Sequence, residues 1–245
     1  MTEVVFVGTS DAFGAGGRRQ SAYLVRSGSG TVLLDCGTTT NTGFSSLEIQ
    51  RDEVDAVIVS HFHADHFGGI PLFLLGALYE DRRERPLVIA GPRDVEARVR
   101  DAAAALGHPL EDQSWSFPIR FEELPTGASR SVGPFEVRAF ETRHSPDSHP
   151  HGLDLRSVGT RVVYSGDTGW FEELPAEVNG ADLFVCECTL VEKSFTYHLS
   201  LEELSERRGD LDCGRLVLTH LGAEMRRRRD YAGFEVADDG LALKL

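Results

Sequence analysis

Basic side chains are few: 25 Lys and Arg stand against 39 Asp and Glu in 245 residues, a formal net charge of −14 at pH 7. Such a chain repels polyanions at long range, so a nucleic-acid partner would need a local basic patch. Cysteine is also sparse. Cys36, Cys186, Cys188 and Cys213 show no C-x-x-C spacing and fall short of a disulfide framework, which excludes a thiolate structural zinc site and leaves a reducing cytoplasm as the expected compartment. Long apolar runs are missing too. The most apolar stretch, Ile70–Tyr79, is about half the roughly 20 residues a membrane span requires. Met1–Ser10 carries Glu3 where a secretory signal would be basic. No Pro/Ser linker, charged tail or short repeat divides the chain, so residues 1–245 are expected to form a single domain.

Short β-rich runs come first, at Val4–Val7, Ala22–Arg26 and Val32–Asp35, separated by glycine-rich turns. Ala56–Ser60 is continuously apolar as far as its final serine, as a strand covered on both faces should be, and it leads directly into His61. Gly68-Gly69 opens a helix expected to run to about Glu80, apolar nearly all round and therefore buried. A strand at Leu87–Ala90 and a helix from about Arg93 to Leu106 continue a βαβα alternation. Asp112–Pro118 reads as a loop. In the second half, strands at Phe135–Thr142, Gly152–Arg156, Arg161–Ser165, Leu183–Glu187 and Leu216–Thr219 surround a helix near Ser200–Arg208. Ser200 followed by Glu203 is a capping-box start. Cys186 and Cys188 should share one strand face, with Glu187 on the other.

His61-Phe62-His63-Ala64-Asp65-His66 puts four metal-competent side chains within six residues, between a buried strand and a glycine-assisted helix. No hydrophobic core needs that pattern. In an extended segment His61 and His63 share a face, and the turn that follows swings Asp65 and His66 toward a second metal. Imidazole and carboxylate without thiolate suit zinc, with manganese or iron as alternatives. Further ligands are expected where later strands end: His144, Asp167 in Ser-Gly-Asp-Thr, and His220 in Leu-Thr-His. An aspartate between two metals can bridge them. His149 and His151 compete with His144, but they bracket Pro150 in a turn, whereas His144 follows its strand directly; one of the two could touch substrate. His108 reads as a surface turn residue.

The ordered set H-x-H-x-D-H, His, Gly-Asp-Thr, His resembles the metallo-β-lactamase superfamily along the whole chain. The resemblance implies an α/β fold, a four-layer αβ/βα sandwich with two Zn2+ at one edge of the sheets. It implies that His61, His63 and His144 hold one ion and Asp65, His66 and His220 the other, with Asp167 between them. It also matches Asp35 of Leu-Leu-Asp-Cys-Gly to an acidic position that supports the metal-binding loop.

Within that superfamily the chain is most similar to the tRNase Z-like phosphodiesterases. The similarity rests on Val7-Gly8-Thr9-Ser10, Ala90-Gly91-Pro92, Tyr164-Ser165-Gly166-Asp167-Thr168, and Glu187-Cys188-Thr189 followed by His198-Leu199-Ser200. It implies hydrolysis by a hydroxide shared between two metals, with Asp65 orienting the water. His198, held by Glu187, would protonate the leaving oxygen. Departures are equally specific. No long Gly/Pro- and Lys-rich arm stands between Gly91 and Phe135, and Gly16-Gly17-Arg18-Arg19-Gln20 replaces a Pro-x-Lys-x-Arg-Asn loop.

A small-molecule or single-stranded phosphodiester is therefore the expected substrate, and tRNA is disfavoured. The rival readings are a tRNA 3′-processing endonuclease, a lactone or thioester hydrolase, and a non-catalytic metal-binding regulatory module. Asp167 stands where many secreted β-lactamases carry a cysteine ligand. A homodimer is the family-level expectation. Arg82, Arg83 and Arg85 are read as a solvent-facing run at a helix end, and Arg226–Arg229 are left open as phosphate contacts.

Overall fold

The computed structural model describes residues 1–245. Fourteen strands form two seven-stranded sheets. The first contains β1 (Glu3–Gly8), β2 (Ala22–Ser27), β3 (Gly30–Leu34), β4 (Ala56–Ile58), β5 (Leu87–Gly91), β6 (Ile119–Glu123) and, from the C-terminus, β14 (Ala242–Lys244), in the order β14-β1-β2-β3-β4-β5-β6. The second contains β7 (Ser129–Val132), β8 (Phe135–Glu141), β9 (His151–Ser157), β10 (Thr160–Tyr164), β11 (Leu183–Glu187), β12 (Leu216–Thr219) and β13 (Glu235–Val236), in the order β13-β12-β11-β10-β9-β8-β7.

Period-2 alternation decides which side chains go between the sheets. Val4, Phe6, Tyr23, Val25, Val32 and Leu34 meet Val137, Leu153, Leu155, Val162, Tyr164 and Val185 in the inter-sheet core. Their neighbours Val5, Val7, Leu24 and Leu33 point the other way. On that outer face lie α1 (Thr40–Ser46), α3 (Ile70–Tyr79) and α4 (Val95–Ala105). In α4, Val95, Val99 and Ala103 recur at helical spacing on the buried side. Phe184, Cys186 and Cys188 face outward from the second sheet, against Leu174 and Val178 of α5 (Leu174–Val178), Leu201 and Leu204 of α6 (Leu201–Glu206) and Met225 of α7 (Ala223–Arg227). The layers are thus helix, sheet, sheet, helix, the expected αβ/βα sandwich.

Strands β3 to β6 are mutually parallel, as are β10 to β13. Parallel strands end at the same edge, so the residues following β3, β4, β10, β11 and β12 converge there. This edge holds the site.

Some local expectations hold and others need correction. The helix expected to open at Gly68-Gly69 is present as α3, from Ile70 to Tyr79, and a break separates it from the single turn α2 (Ala64–Phe67). A Cβ on Gly69 would stand 2.2 Å from the Gly37 carbonyl oxygen, so the break lets this backbone lie against the loop after β3. Helix α3 is not wholly buried, however, since Leu72 is 46% and Tyr79 66% exposed. Arg83 does not face solvent. It is buried, and its guanidinium donates to the carbonyls of Val54, Pro86 and Arg85 at 2.7–2.8 Å, closing backbone acceptors that would otherwise be orphaned. Arg226 is half-buried and donates to the Thr9 and Ala237 carbonyls, so it ties the loop after β1 to the C-terminal segment. The Ser200 cap is as expected: its Oγ accepts from Glu203 N at 3.1 Å. No helix is long and apolar enough to cross a membrane.

Candidate metal centre

The seven residues singled out by spacing and strand position come together in two groups that share Asp167. His61, His63, His144 and Asp167 form one set, and Asp65, His66, Asp167 and His220 the other; within each, the donor atoms lie within 4.8 Å of one another. In the first set His63 Nδ1 stands 3.1 Å from His61 Nε2 and 3.0 Å from His144 Nε2. In the second, His66 Nε2 stands 3.3 Å from both His220 Nε2 and Asp65 Oδ2. Ligand atoms about 2.0–2.1 Å from a tetrahedral zinc are roughly 3.3 Å apart, so these spacings fit a shared cation.

Asp167 faces both sets. Its Oδ2 lies 3.8 Å from His61 Nε2 and 3.9 Å from His144 Nε2, and its Oδ1 3.2 Å from His66 Nε2 and 3.5 Å from His220 Nε2. Oδ1 is buried without a hydrogen-bond donor, an arrangement that costs free energy unless a cation satisfies it.

The other ring nitrogens explain why the donors point inward. His66 Nδ1 donates to Asp35 Oδ2 at 2.7 Å and His144 Nδ1 to the Tyr197 carbonyl at 2.9 Å. Both partners accept only, so the proton sits on Nδ1 and Nε2 keeps its lone pair. His61 Nδ1 is 3.0 Å from Ser60 Oγ, which in turn donates to Asp35 Oδ2 at 2.8 Å. His220 Nδ1 is 2.8 Å from Thr189 Oγ1. His63 alone turns its Nδ1 to the site.

Asp35 is the hub of the first sheet's edge. It is fully buried and accepts from Ser60 N, Ser60 Oγ, His66 Nδ1 and Tyr164 Oη at 2.7–2.8 Å. Asp35 and His220 both adopt left-handed backbone, with φ of 58° and 55°. Non-glycine residues held there cost about 1–3 kcal/mol each and persist where the surroundings over-determine them.

Charge also points to cations. Burial opposes a charge on His66, yet the carboxylates of Asp167, Asp65 and Asp35 outweigh it and hold its pKa well above the usual range. Burial likewise opposes charge on Asp167, and the surrounding imidazoles, His220 and His66 foremost, hold it well below the usual carboxylate range. The buried carboxylates of Asp35, Asp65 and Asp167 thus draw positive charge into the cluster, onto His66 first, and that is the demand a bound cation would meet.

Glu187 and His198 lie beside the second set. Glu187 is buried at the end of β11, and its Oε1 accepts from His198 Nδ1 at 2.8 Å and Thr168 N at 2.9 Å. Its Oε2 accepts from Thr189 N and Thr189 Oγ1, both at 3.0 Å. Burial pulls the His198 pKa down, but the charge and hydrogen bond of Glu187 prevail and lift it to about 9. The His198 ring stacks on His220, with centroids 5.6 Å apart and planes inclined by 13°. His198 Nδ1 is 4.0 Å from Asp167 Oδ2.

His149 and His151 join neither set. His149 Nδ1 lies 3.2 Å from the Arg93 carbonyl oxygen, and burial lowers the His151 pKa to about 4. Ser60, Tyr164, Thr189 and the Tyr197 carbonyl are the participants that spacing did not single out. Tyr164 and Thr189 stand inside the motifs that carry the tRNase Z resemblance, but nothing in a linear motif tells which side chain a hydroxyl will meet.

Comparison with known proteins agrees with this geometry. Ribonuclease Z from Halobacterium salinarum is 33% identical over 186 residues, covering 73% of this chain and 53% of that protein, so the match spans about half the length of this curated relative. Among solved structures, the metallo-β-lactamase fold protein YhfI from Bacillus subtilis superposes with a TM-score of 0.79 at 22% identity over the whole of both chains. The short form of human tRNase Z superposes with a TM-score of 0.79 at 23% identity, covering 99% of this chain and 98% of that one. The family model of the Anti-Pycsar protein Apyc1 matches residues 2–236. With a match of that extent over an αβ/βα sandwich whose sheet edge gathers the His/Asp set, the chain has the metallo-β-lactamase fold and belongs to the Anti-Pycsar protein Apyc1 family.

Proposed function

We propose that this protein is a zinc-dependent phosphodiesterase acting on small or single-stranded phosphodiesters. His61, His63 and His144 would hold one ion and Asp65, His66 and His220 the other, with Asp167 common to both. Zinc bound there supplies Lewis-acid stabilisation of phosphoryl oxygens and a water whose pKa falls to about 7. Asp65 would orient the attacking water. Asp35, Ser60 and Thr189 keep the imidazole nitrogens aimed.

The observation that carries the phosphodiester reading is the 2.8 Å contact between His198 Nδ1 and Glu187 Oε1. A histidine protonated at neutral pH, with Nδ1 committed to a carboxylate, has Nε2–H free to donate to a departing alkoxide. Alkoxides are poor leaving groups, so phosphodiester cleavage gains from such an acid. An activated lactone or thioester needs it less.

The ribonuclease Z relatives favour a second reading, tRNA 3′-end cleavage. Against it, Arg83 and Arg226 are committed to backbone carbonyls and Arg85 pairs with Asp55 at 2.7 Å, so each basic run offers a polyanion fewer charges than its sequence promises.

The test is an assay of zinc-loaded protein on bis(p-nitrophenyl) phosphate, a cyclic nucleoside monophosphate, a dinucleotide, a precursor tRNA and a lactone, with and without chelator. Chelator-sensitive turnover of the small phosphodiesters, with slower cleavage of tRNA and lactone, is expected. Faster lactone turnover that survives His198→Ala would sink the proposal, and fewer than one bound transition metal per chain would sink the dinuclear reading.

A further inference from the structure

Phe195 stands apart from the other exposed apolar side chains because its ring lies against the site. It is 52% exposed, its centroid is 5.9 Å from that of His198 with planes inclined by 33°, and it meets the Tyr197 ring edge-on at 5.4 Å. The segment carrying it is pinned at three points. The Tyr197 carbonyl accepts from His144 Nδ1. His198 is held by Glu187. Thr196 lies so near the turn after Asp167 that a Cβ on Gly169 would stand 2.0 Å from the Thr196 carbonyl oxygen. What distinguishes Phe195 is not its exposure but its place: an open aromatic ring on an anchored loop, one ring beyond the acid, offers a flat apolar surface to a group bound beside His198.

We propose that Phe195 is a stacking platform for a planar aromatic group carried on the ester oxygen that departs toward His198, so that the enzyme selects phosphodiesters whose leaving alcohol bears an aromatic ring. The inference rests on the phosphodiesterase reading, which places the departing oxygen beside His198. The Phe195 ring neighbours that of His198, so an aromatic group carried on the oxygen that His198 protonates would lie within reach of it. Stacking of this kind is sequence-tolerant and flat-face selective, and its removal weakens binding about tenfold.

The experiment compares two phosphate monoesters, phenyl phosphate and ethyl phosphate, as competitive inhibitors of bis(p-nitrophenyl) phosphate hydrolysis by the zinc-loaded protein. Phenyl phosphate is expected to bind about tenfold more tightly. Phe195→Ala should abolish that gap by weakening phenyl phosphate alone, and Phe195→Tyr and Phe195→Trp should preserve it. A second readout needs no turnover: the fluorescence of zinc-loaded F195W should be quenched by p-nitrobenzylphosphonate, at matched absorbance, more than that of the wild type. Equal inhibition by the two monoesters in the wild type overturns the proposal. So does a Phe195→Ala variant that weakens both equally, as a purely structural role would, or one that changes the oligomeric state and leaves inhibition untouched. If the wild type hydrolyses no phosphodiester, the phosphodiesterase reading fails on its own; the F195W titration still decides the platform, and absence of quenching there rejects it.

Discussion

Thr189 Oγ1 lies 2.8 Å from His220 Nδ1 and 3.0 Å from Glu187 Oε2, so one hydroxyl joins the second metal-ligand set to the Glu187–His198 pair. With Glu187 accepting its proton, the hydroxyl accepts from His220 Nδ1–H and leaves His220 Nε2 unprotonated toward Asp65, 3.2 Å away. Thr189→Ala removes the acceptor and frees the ring. Zinc affinity at the second site should fall about 10–100-fold, measured by competition with a chromogenic chelator. Thr189→Ser keeps the hydroxyl and should restore most of it. Unchanged affinity in the alanine variant would reject the link.

Asp35 offers a test of the opposite edge. Four donors converge on its buried carboxylate, and each buried donor left unpaired costs about 1–3 kcal/mol. Asp35→Ala should therefore destabilise the fold by roughly 3 kcal/mol or more and weaken zinc binding through His66. Asp35→Asn tolerates the left-handed backbone better than alanine but turns an amide toward donors, so it should recover part of the stability and little of the zinc affinity. Denaturant unfolding of the metal-free variants, compared with chelator titration, separates the two effects.

These two residues show what a linear reading can reach. The clustering of the seven His and Asp residues was legible because H-x-H-x-D-H has no packing explanation, and because His144, Asp167 and His220 each closely follow a strand that ends at one edge. The two sheets were legible from short, nearly continuous apolar runs such as β1 and β3, which bury both faces. Strands β6 and β7 were missed because their sequences, Ile119–Glu123 and Ser129–Val132, are polar and lie on edges, where the ladder rather than apolar burial holds them. Helices α5 and α7, five residues each, are too short for a periodic signal and exist by packing Leu174, Val178 and Met225 on the second sheet. Arg83 deceived because charge at a helix end ordinarily means solvent; only the tertiary fold reveals the carbonyls it serves.

Asp154 carries a pH prediction away from the metals. Its side chain is fully buried on β9 and pairs with Arg161 at 3.1 Å, Arg156 at 3.2 Å and Arg138 at 3.5 Å. Burial pushes its pKa up, but the hydrogen bonds and charges of Arg161 and Arg156 outweigh that and hold it below the ordinary carboxylate value. For a depressed folded-state pKa the stabilisation is fully present above the unfolded value, about 3.9, and is lost as pH falls through the folded one. Asp154→Asn should thus lower stability by roughly 2 kcal/mol at pH 7, with the gap between variant and wild type closing below about pH 4. A gap that stayed constant from pH 7 to pH 3 in thermal melts would argue that packing, not charge, is lost.

Gly169 tests whether the loop bearing Phe195 and His198 is held in place by backbone contact. Its amide donates to the Arg143 carbonyl at 2.9 Å, immediately before His144, and its missing Cβ makes room for the Thr196 carbonyl oxygen, which a methyl group would approach to 2.0 Å. In Gly169→Ala one side has to give. The proposed ligands are braced by Asp35, Ser60 and Thr189, whereas residues 192–196 are exposed, so the loop should move and carry His198 away from the oxygen it is proposed to protonate. A displacement near 1 Å at a catalytic group lowers turnover about 100-fold. The expected signature is a fall in kcat with zinc content unchanged, together with a weaker Glu187–His198 hydrogen bond, read as an upfield shift of the His198 Nδ1 proton. Loss of zinc along with activity would show instead that the strain passes through Arg143 to His144, and that the ligand side yields first.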